Sequence, residues 1–184
     1  GLAVDAEDEG AIAGAQVQPL IDAYTLHLGY GLVDTGRISA QEAALWDRPL
    51  LAGRRFALML PGGEGHTYIR FVERKPDPNY VAFRHFGWNA AELMVQDVDK
   101  VAERLADSPF KIIGPPADLS FSDKIRAMQV LGPAKESLYL THFKERLPEF
   151  DTPEPKHFID RTFITIVGGK TCESINAFYS KHFG

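Results

Sequence analysis

Three stretches of this chain open in the same way, and that repetition restricts the fold more than any other feature. Leu2-Ala3-Val4-Asp5-Ala6-Glu7-Asp8, Glu92-Leu93-Met94-Val95-Gln96-Asp97-Val98-Asp99 and Phe163-Ile164-Thr165-Ile166-Val167-Gly168-Gly169 each read as a short strand turning into a helix. In the first two, acidic residues follow the strand, where the positive end of a helix dipole favours them. The first helix carries an apolar stripe of Ile12, Val17, Leu20, Ile21, Tyr24 and Leu28, and Gly29 stops it. The middle helix, Val98 to Leu105, closes at Asp107-Ser108-Pro109. The third ends Phe178-Tyr179-Ser180-Lys181-His182-Phe183-Gly184, again an aromatic, a bulky apolar residue and a glycine.

Strands follow the helices. The first set is Leu32 to Ile38, Arg55 to Leu60 and Tyr68 to Glu73, with Ser39 capping a short extra helix through Leu45-Trp46 and Pro61-Gly62-Gly63 turning the chain. The second set is Phe110 to Ile113, Ile125 to Leu131 and Leu138 to Phe143, with Gly132-Pro133 at the turn. Each unit therefore reads strand–helix–strand–strand–strand, and a repeat of this kind buries its apolar faces against neighbouring units. Proline-rich punctuation sets the expected boundaries: a first unit at 1–74, a linker at 75–83, a second unit at 84–144, a linker at 145–156, and the start of a third unit at 157–184.

Composition removes whole classes of function. At 45% hydrophobic and 24% charged, the 184 residues are those of a folded globular chain rather than a disordered or coiled-coil one. A net charge of −5, with Arg54-Arg55 as the longest basic cluster, argues against nucleic acid as a partner. No apolar run approaches the roughly 18 residues that cross a bilayer, and no basic-then-apolar leader opens the sequence, so no membrane partner is expected. The single Cys172 can form neither an internal disulfide nor a cysteine zinc site, which points to a reducing cytoplasm.

A tandem βαβββ unit with an aromatic-x3-Leu-Gly helix end resembles the vicinal-oxygen-chelate superfamily, which contains glyoxalase I, bleomycin-resistance proteins and extradiol dioxygenases. Tyr24 to Gly29 and Phe178-Tyr179 to Gly184 carry the helix end, and Leu131-Gly132-Pro133-Ala134-Lys135-Glu136 is a degenerate form of the turn before the last strand. The resemblance implies an α+β fold in which tandem units form a curled, cup-like mixed sheet with helices outside and a cavity between two units. It also implies a piece of a longer protein of about four units, or a homodimer that completes the third.

Metal-dependent relatives hold iron, zinc, nickel or manganese through side chains on the first and last strands of each unit. Carried onto this chain, those positions are Arg70, Ala90, Tyr139 and Thr162. Alanine cannot coordinate, a guanidinium repels a cation, and a neutral phenol is a poor ligand for a divalent ion. No metal cofactor is therefore expected between the first two units, although a shifted register would bring in His85 or His142. The six histidines show no i, i+4 pair of the kind that builds a helical metal motif.

Strand alternation directs Ala91, Leu93 and Val95 towards the helix, and Trp88, Ala90, Glu92 and Met94 towards the cavity. Tyr68, Arg70 and Val72 point inward from the first unit, and Tyr139 and Thr141 from the second. Glu92, desolvated, would serve as general base, and Tyr139 would donate to an enolate oxygen. Arg70 would clamp a carboxylate, with Tyr68, Trp88, Met94 and Thr141 lining the ligand, unless Arg70 and Glu92 pair with each other. Arg126 is expected at a solvated edge. Gly168-Gly169-Lys170-Thr171 lacks the leading glycine of a phosphate loop, since Ile164 stands there, and reads as a turn.

The expected function is binding of a small aromatic or oxo-acid compound without metal, as a binding protein or as an enzyme that converts it. Two alternatives stand beside it: a metal-dependent lyase, isomerase or ring-cleaving dioxygenase completed by another part of the chain, and a non-catalytic protein that sequesters a drug-like molecule.

Overall fold

The computed structural model describes residues 2–3, 17–74, 77–148 and 154–183. Its elements run β1 (Leu2–Ala3), α1 (Gln18–Ala23, widening into a π-helical turn at Tyr24–Leu28), β2 (Tyr30–Arg37), α2 (Ala40–Leu45), a 3-10 turn (Pro49–Leu51), β3 (Arg55–Pro61) and β4 (Ile69–Val72). They continue with β5 (Gly87–Val95), α3 (Val98–Leu105), β6 (Lys111–Leu119), β7 (Ser122–Leu131), β8 (Ser137–Phe143), β9 (Ile159–Gly168) and α4 (Cys172–Phe183). One sheet has the order β1-β4-β3-β2 and the other β6-β7-β8-β5-β9.

The helices form where apolar periodicity and capping coincide. Val17, Leu20, Ile21, Tyr24 and Leu28 are all buried, as their helical spacing predicts, whereas Ile12 and the acidic stretch after Ala3 lie outside the described residues. Gly29 ends this helix at φ 73°, a left-handed conformation that glycine adopts without a Cβ clash. Helix α3 spans the predicted residues, with the Asp97 carboxylate accepting the Lys100 N–H at 3.1 Å and Val98, Val101 and Leu105 buried. Helix α2 begins with a capping box, in which Ser39 Oγ accepts from Glu42 N and the Glu42 carboxylate accepts from Ser39 N.

Strand ends differ from expectation in one informative place. Strand β6 runs on through Pro115 and Pro116 to Leu119, beyond the predicted Ile113. Proline has no N–H for a ladder, yet β6 is the edge of its sheet, and register shifts on either side of Gly114 absorb the irregularity.

The decisive feature is how the sheets meet. Ala57, Met59, Ile69 and Phe71 of the first sheet share one core with Ala91, Leu93, Leu138 and Leu140 of the second, with α1 and α3 residues between them. The two units thus share one core through the faces that carry α1 and α3. Tyr30 crosses the same seam, its buried hydroxyl donating to the Asp160 carbonyl at 2.8 Å. The second unit's concave sheet is extended instead by β9, which pairs antiparallel with β5. The strand opening the third unit is therefore what widens the second unit's cup.

Candidate functional site

Period-two alternation places Glu92 and Met94 on the face of β5 opposite Ala91, Leu93 and Val95, which lie in the core. In the parallel pairing of β5 with β8, Glu92 stands opposite Tyr139 and Met94 opposite Thr141. The Thr141 hydroxyl donates to Glu92 Oε1 at 2.6 Å. These four residues form the centre of the concave face, as the alternation predicts.

Aromatic rings flank this polar centre along the strands. Tyr139 meets Phe83, from the segment that precedes β5, edge to face at 6.3 Å between centroids. Two residues beyond Thr141 on the same face, Phe143 packs edge to face with Phe163 of β9 at 5.6 Å. Phe83 adopts φ 63°, an unusual conformation for a bulky residue, so its ring position is held at some local cost. A cavity of about 340 Å³ lies at the ends of β5 and β8; Met94 and Phe143 are its contribution from this face, and Val95, His142, Lys144, Arg146 and Glu154 line the rest. Neither Phe143 nor Phe163 figures among the sequence candidates, although Phe143 simply continues the Tyr139, Thr141 alternation.

Burial raises the Glu92 carboxyl above its ordinary range, with the Thr141 bond working the other way. Tyr139 is also raised, chiefly by burial and then by the Glu92 charge. Among the described residues no ion pair holds Glu92, and burial rather than a neighbouring charge is the largest cause of its shift.

Arg70 is elsewhere. It lies on the concave face of the first sheet, because Ile69 and Phe71 on either side of it face the core shared with the second sheet. Its guanidinium stacks over Trp46 and Phe56 at 5.4 and 5.0 Å and contacts Glu42 at 3.3 Å. Helix α2 and the 3-10 turn fold onto this face, where Ile38, Ala43, Leu51 and Val72 make a small second core. The expected hollow shared by Arg70, Glu92 and Tyr139 is thus two separate concave faces, one of them filled by its own chain. Tyr68 sits just before β4, in the first unit, and Trp88 is exposed against Tyr179 of α4 at 6.3 Å, so neither joins the Glu92 group. Arg126 faces α3, where it grips Asp99 through two bonds of 2.9 Å and reaches Asp118 at 3.3 Å.

The residues present do not fit the metal of the fold's ion-dependent representatives. Ala90, Tyr139 and Thr162 stand at the strand positions that would supply ligands, leaving Glu92 as a lone carboxylate on that face, and Arg70 is on the other sheet. Among the described residues no three His, Cys, Asp or Glu side chains come together as an ion site. His142 lies on the helix side opposite Arg126 in register, and His85 stacks flat on Tyr80 at 5.4 Å. Lys170 lies in a plain strand-to-helix turn, in which Thr171 Oγ1 accepts from Ser174 N at the start of α4.

A second buried polar group escaped sequence reasoning. Glu136 folds back under the turn before β8, accepting from Tyr24 Oη and from Ala134 N, each at 2.8 Å. Burial pushes its carboxyl up to about 7 despite these donors. A Cβ added to Gly132 would fall 1.9 Å from Glu136 Oε1, so the carboxylate occupies space that glycine leaves free. Tyr24 comes from α1 of the first unit, so this bond joins the two units at their seam. Beside it, Tyr80, Glu136 and Ser137 line a water-sized cavity of about 20 Å³, and Ser137 Oγ is buried without a partner among the described residues.

The chain has the vicinal-oxygen-chelate fold, the fold of glyoxalase/bleomycin-resistance/dioxygenase structures. Glyoxalase I from Zea mays superposes with a TM-score of 0.60 at 19% identity, covering 92% of this chain and 52% of the maize chain. This chain therefore spans about half the length of that enzyme. A glyoxalase family protein from Bacillus cereus superposes with a TM-score of 0.53 at 14% identity, covering 79% of this chain and 96% of the other. No family model and no curated protein sequence matches the chain. Among the described residues no helix is long and apolar enough to cross a membrane.

Proposed function

We propose that this chain binds a small aromatic compound on the concave face formed by β7, β8, β5 and β9, with Glu92 as the group that exchanges a proton with it and no metal involved. The observation that carries this reading is the Thr141–Glu92 pair, which sits between two aromatic pairs and beside an open cavity. A carboxyl whose proton affinity is raised by burial is a stronger base than an exposed one, and Thr141 engages one of its oxygens and leaves the other for the ligand. Tyr139, opposite Glu92 in register, is the donor for an oxygen on the ligand.

The reading includes self-association. Helix α4 buries none of its described residues, Phe178 and Phe183 are exposed, and β9 is the outer strand of its sheet. Sedimentation velocity at several concentrations reads this directly, and a monomer throughout would remove the dimer.

The experiment for the site is a titration with phenol, followed by backbone amide NMR, on the intact chain before and after EDTA dialysis. Shifts centred on Glu92, Tyr139, Thr141 and Phe143 that survive dialysis support the reading. Shifts confined to the first unit, or a requirement for added metal, overturn it.

A further inference from the structure

The concave face differs from the sequence expectation in its charge, and that difference bears on what it takes. An oxo-acid ligand requires a cation in the site, and Arg70 was the residue expected to supply one. Arg70 instead spends its charge on Glu42 and on two aromatic faces of the other sheet. What remains beside Tyr139 is the half-buried carboxylate of Glu92, with the Phe83–Tyr139 pair beside it and the Phe143–Phe163 pair about 13 Å further along β8.

We infer that the ligand is an aromatic compound carrying a protonated amine, with its ammonium group on Glu92 and its ring against Tyr139 and Phe83. This deepens the function proposed above and rests on it. An anionic ligand at this place would be repelled by Glu92 and would leave its own charge unpaired in a partly desolvated site. A cation, by contrast, meets an opposite charge and the electron-rich faces of aromatic rings, both of which are stronger away from water.

The basic groups nearest the face have partners of their own: Arg161, two residues before Phe163 on β9, pairs with Asp160 at 3.4 Å, and His142 lines the cavity opposite Arg126 in register. On β8, Thr141 is neutral and Tyr139 is held in its neutral form by burial and by the Glu92 charge. On β5 the neighbours are Ala90 and Met94, on β9 Ile164 stands opposite Glu92, and on β7 Gln129 stands opposite Tyr139. At the far rim of the cavity, Lys144 is committed to Asp118 at 2.8 Å and to the Asp123 carbonyl at 2.6 Å. Glu145 pairs with Lys124, and Arg146 is likewise engaged, while Glu154 adds negative charge to the same rim. The protonation of Glu92 is set by burial and Thr141 rather than by any of these cations.

Phe83 supplies ring contact common to charged and neutral ligands. Its left-handed backbone holds the ring over Tyr139 from a segment pinned by Asn89, whose side-chain amide donates to the carbonyls of His85 and Gly87 at 3.1 Å each. A bulky residue kept at positive φ marks a position where ring placement outweighs local strain.

The test compares three probes of matched shape on the intact chain: 2-phenylethylamine, 2-phenylethanol and phenylacetate, each titrated by amide NMR near neutral pH. The amine is expected to bind at least about tenfold more tightly than the alcohol, and the acid more weakly than either. Glu92→Gln should collapse the amine-to-alcohol ratio towards one, and acidification that protonates Glu92 should do the same in the native chain. Phe83→Ala, checked for a native spectrum, should weaken the amine and the alcohol alike. Equal binding of all three probes, or preference for phenylacetate, overturns the charge assignment and leaves the aromatic site standing. If none of the three shifts the Glu92 face, the function proposed above falls with it.

Discussion

Replacing Glu136 by glutamine tests the seam between the two units in a way that can be worked through in advance. The folded carboxyl titrates at about 7 against an ordinary 4.5, because burial penalises its charge more than Tyr24, Ala134 N–H and its own N–H favour it. The unfolded chain therefore gives up this proton first. Glu136 contributes its full stability below about pH 4.5, loses it progressively as pH rises towards about 7, and stays at the lower level beyond. The interval corresponds to about 3 kcal/mol. Glutamine keeps the shape and stays neutral, but its single oxygen cannot serve both donors, which costs about 1 kcal/mol at every pH. The variant should accordingly be less stable than the native chain by about 1 kcal/mol near pH 4.5, and more stable by about 2 kcal/mol near pH 8. Urea denaturation across that range gives both curves, with the slope m checked for constancy. Surface carboxylates such as Glu73, Asp99 and Asp118, lowered by their basic partners, act in the opposite sense, losing stability as pH falls. They are common to both proteins, so the difference between the curves isolates Glu136. A difference that stays flat from acid to alkaline pH would refute the burial argument.

Three further outcomes follow from named contacts. Gly132→Ala should be clearly destabilising because its Cβ displaces the Glu136 carboxylate from Tyr24 and Ala134, and it should cost much less in a Glu136→Ala background; equal costs in the two backgrounds would exclude that clash. Arg70→Ala should lower stability by about 1–2 kcal/mol through lost stacking on Trp46 and Phe56, while leaving phenol shifts at Glu92 in place; loss of those shifts would return Arg70 to the ligand site. Leu140→Ala, at a side chain with no exposed surface in the shared core, should cost about 2–5 kcal/mol by chemical denaturation, and a loss under about 1 kcal/mol would contradict a common core.

The shared face of the candidate site is legible along single strands. Glu92, Met94, Tyr139 and Thr141 share a face because side chains alternate along a strand whatever surrounds it, and their neighbours Ala91, Leu93, Leu138 and Leu140 are uniformly apolar. Phe83 was hidden because it approaches Tyr139 from an irregular segment with no period to follow. Glu136 was hidden for a different reason: a glutamate after a glycine-proline turn reads as solvent-exposed, and only the space beneath Gly132 and the hydroxyl of Tyr24, 112 positions away, make burial tolerable.

Local order, then, belongs to the sequence: the strand–helix–strand–strand–strand unit, the helix ended by Gly29, the α3 span and the inward-facing residues of each strand all follow from periodicity and capping within a few residues. Which face meets which belongs to the tertiary structure. Burying apolar area joined the α1- and α3-bearing faces of the first two units in one core, and β5 gained a partner in β9. That choice separates Arg70 from Glu92 and leaves a carboxylate among aromatic rings, because hydrophobic burial has no directional preference that a single strand could reveal.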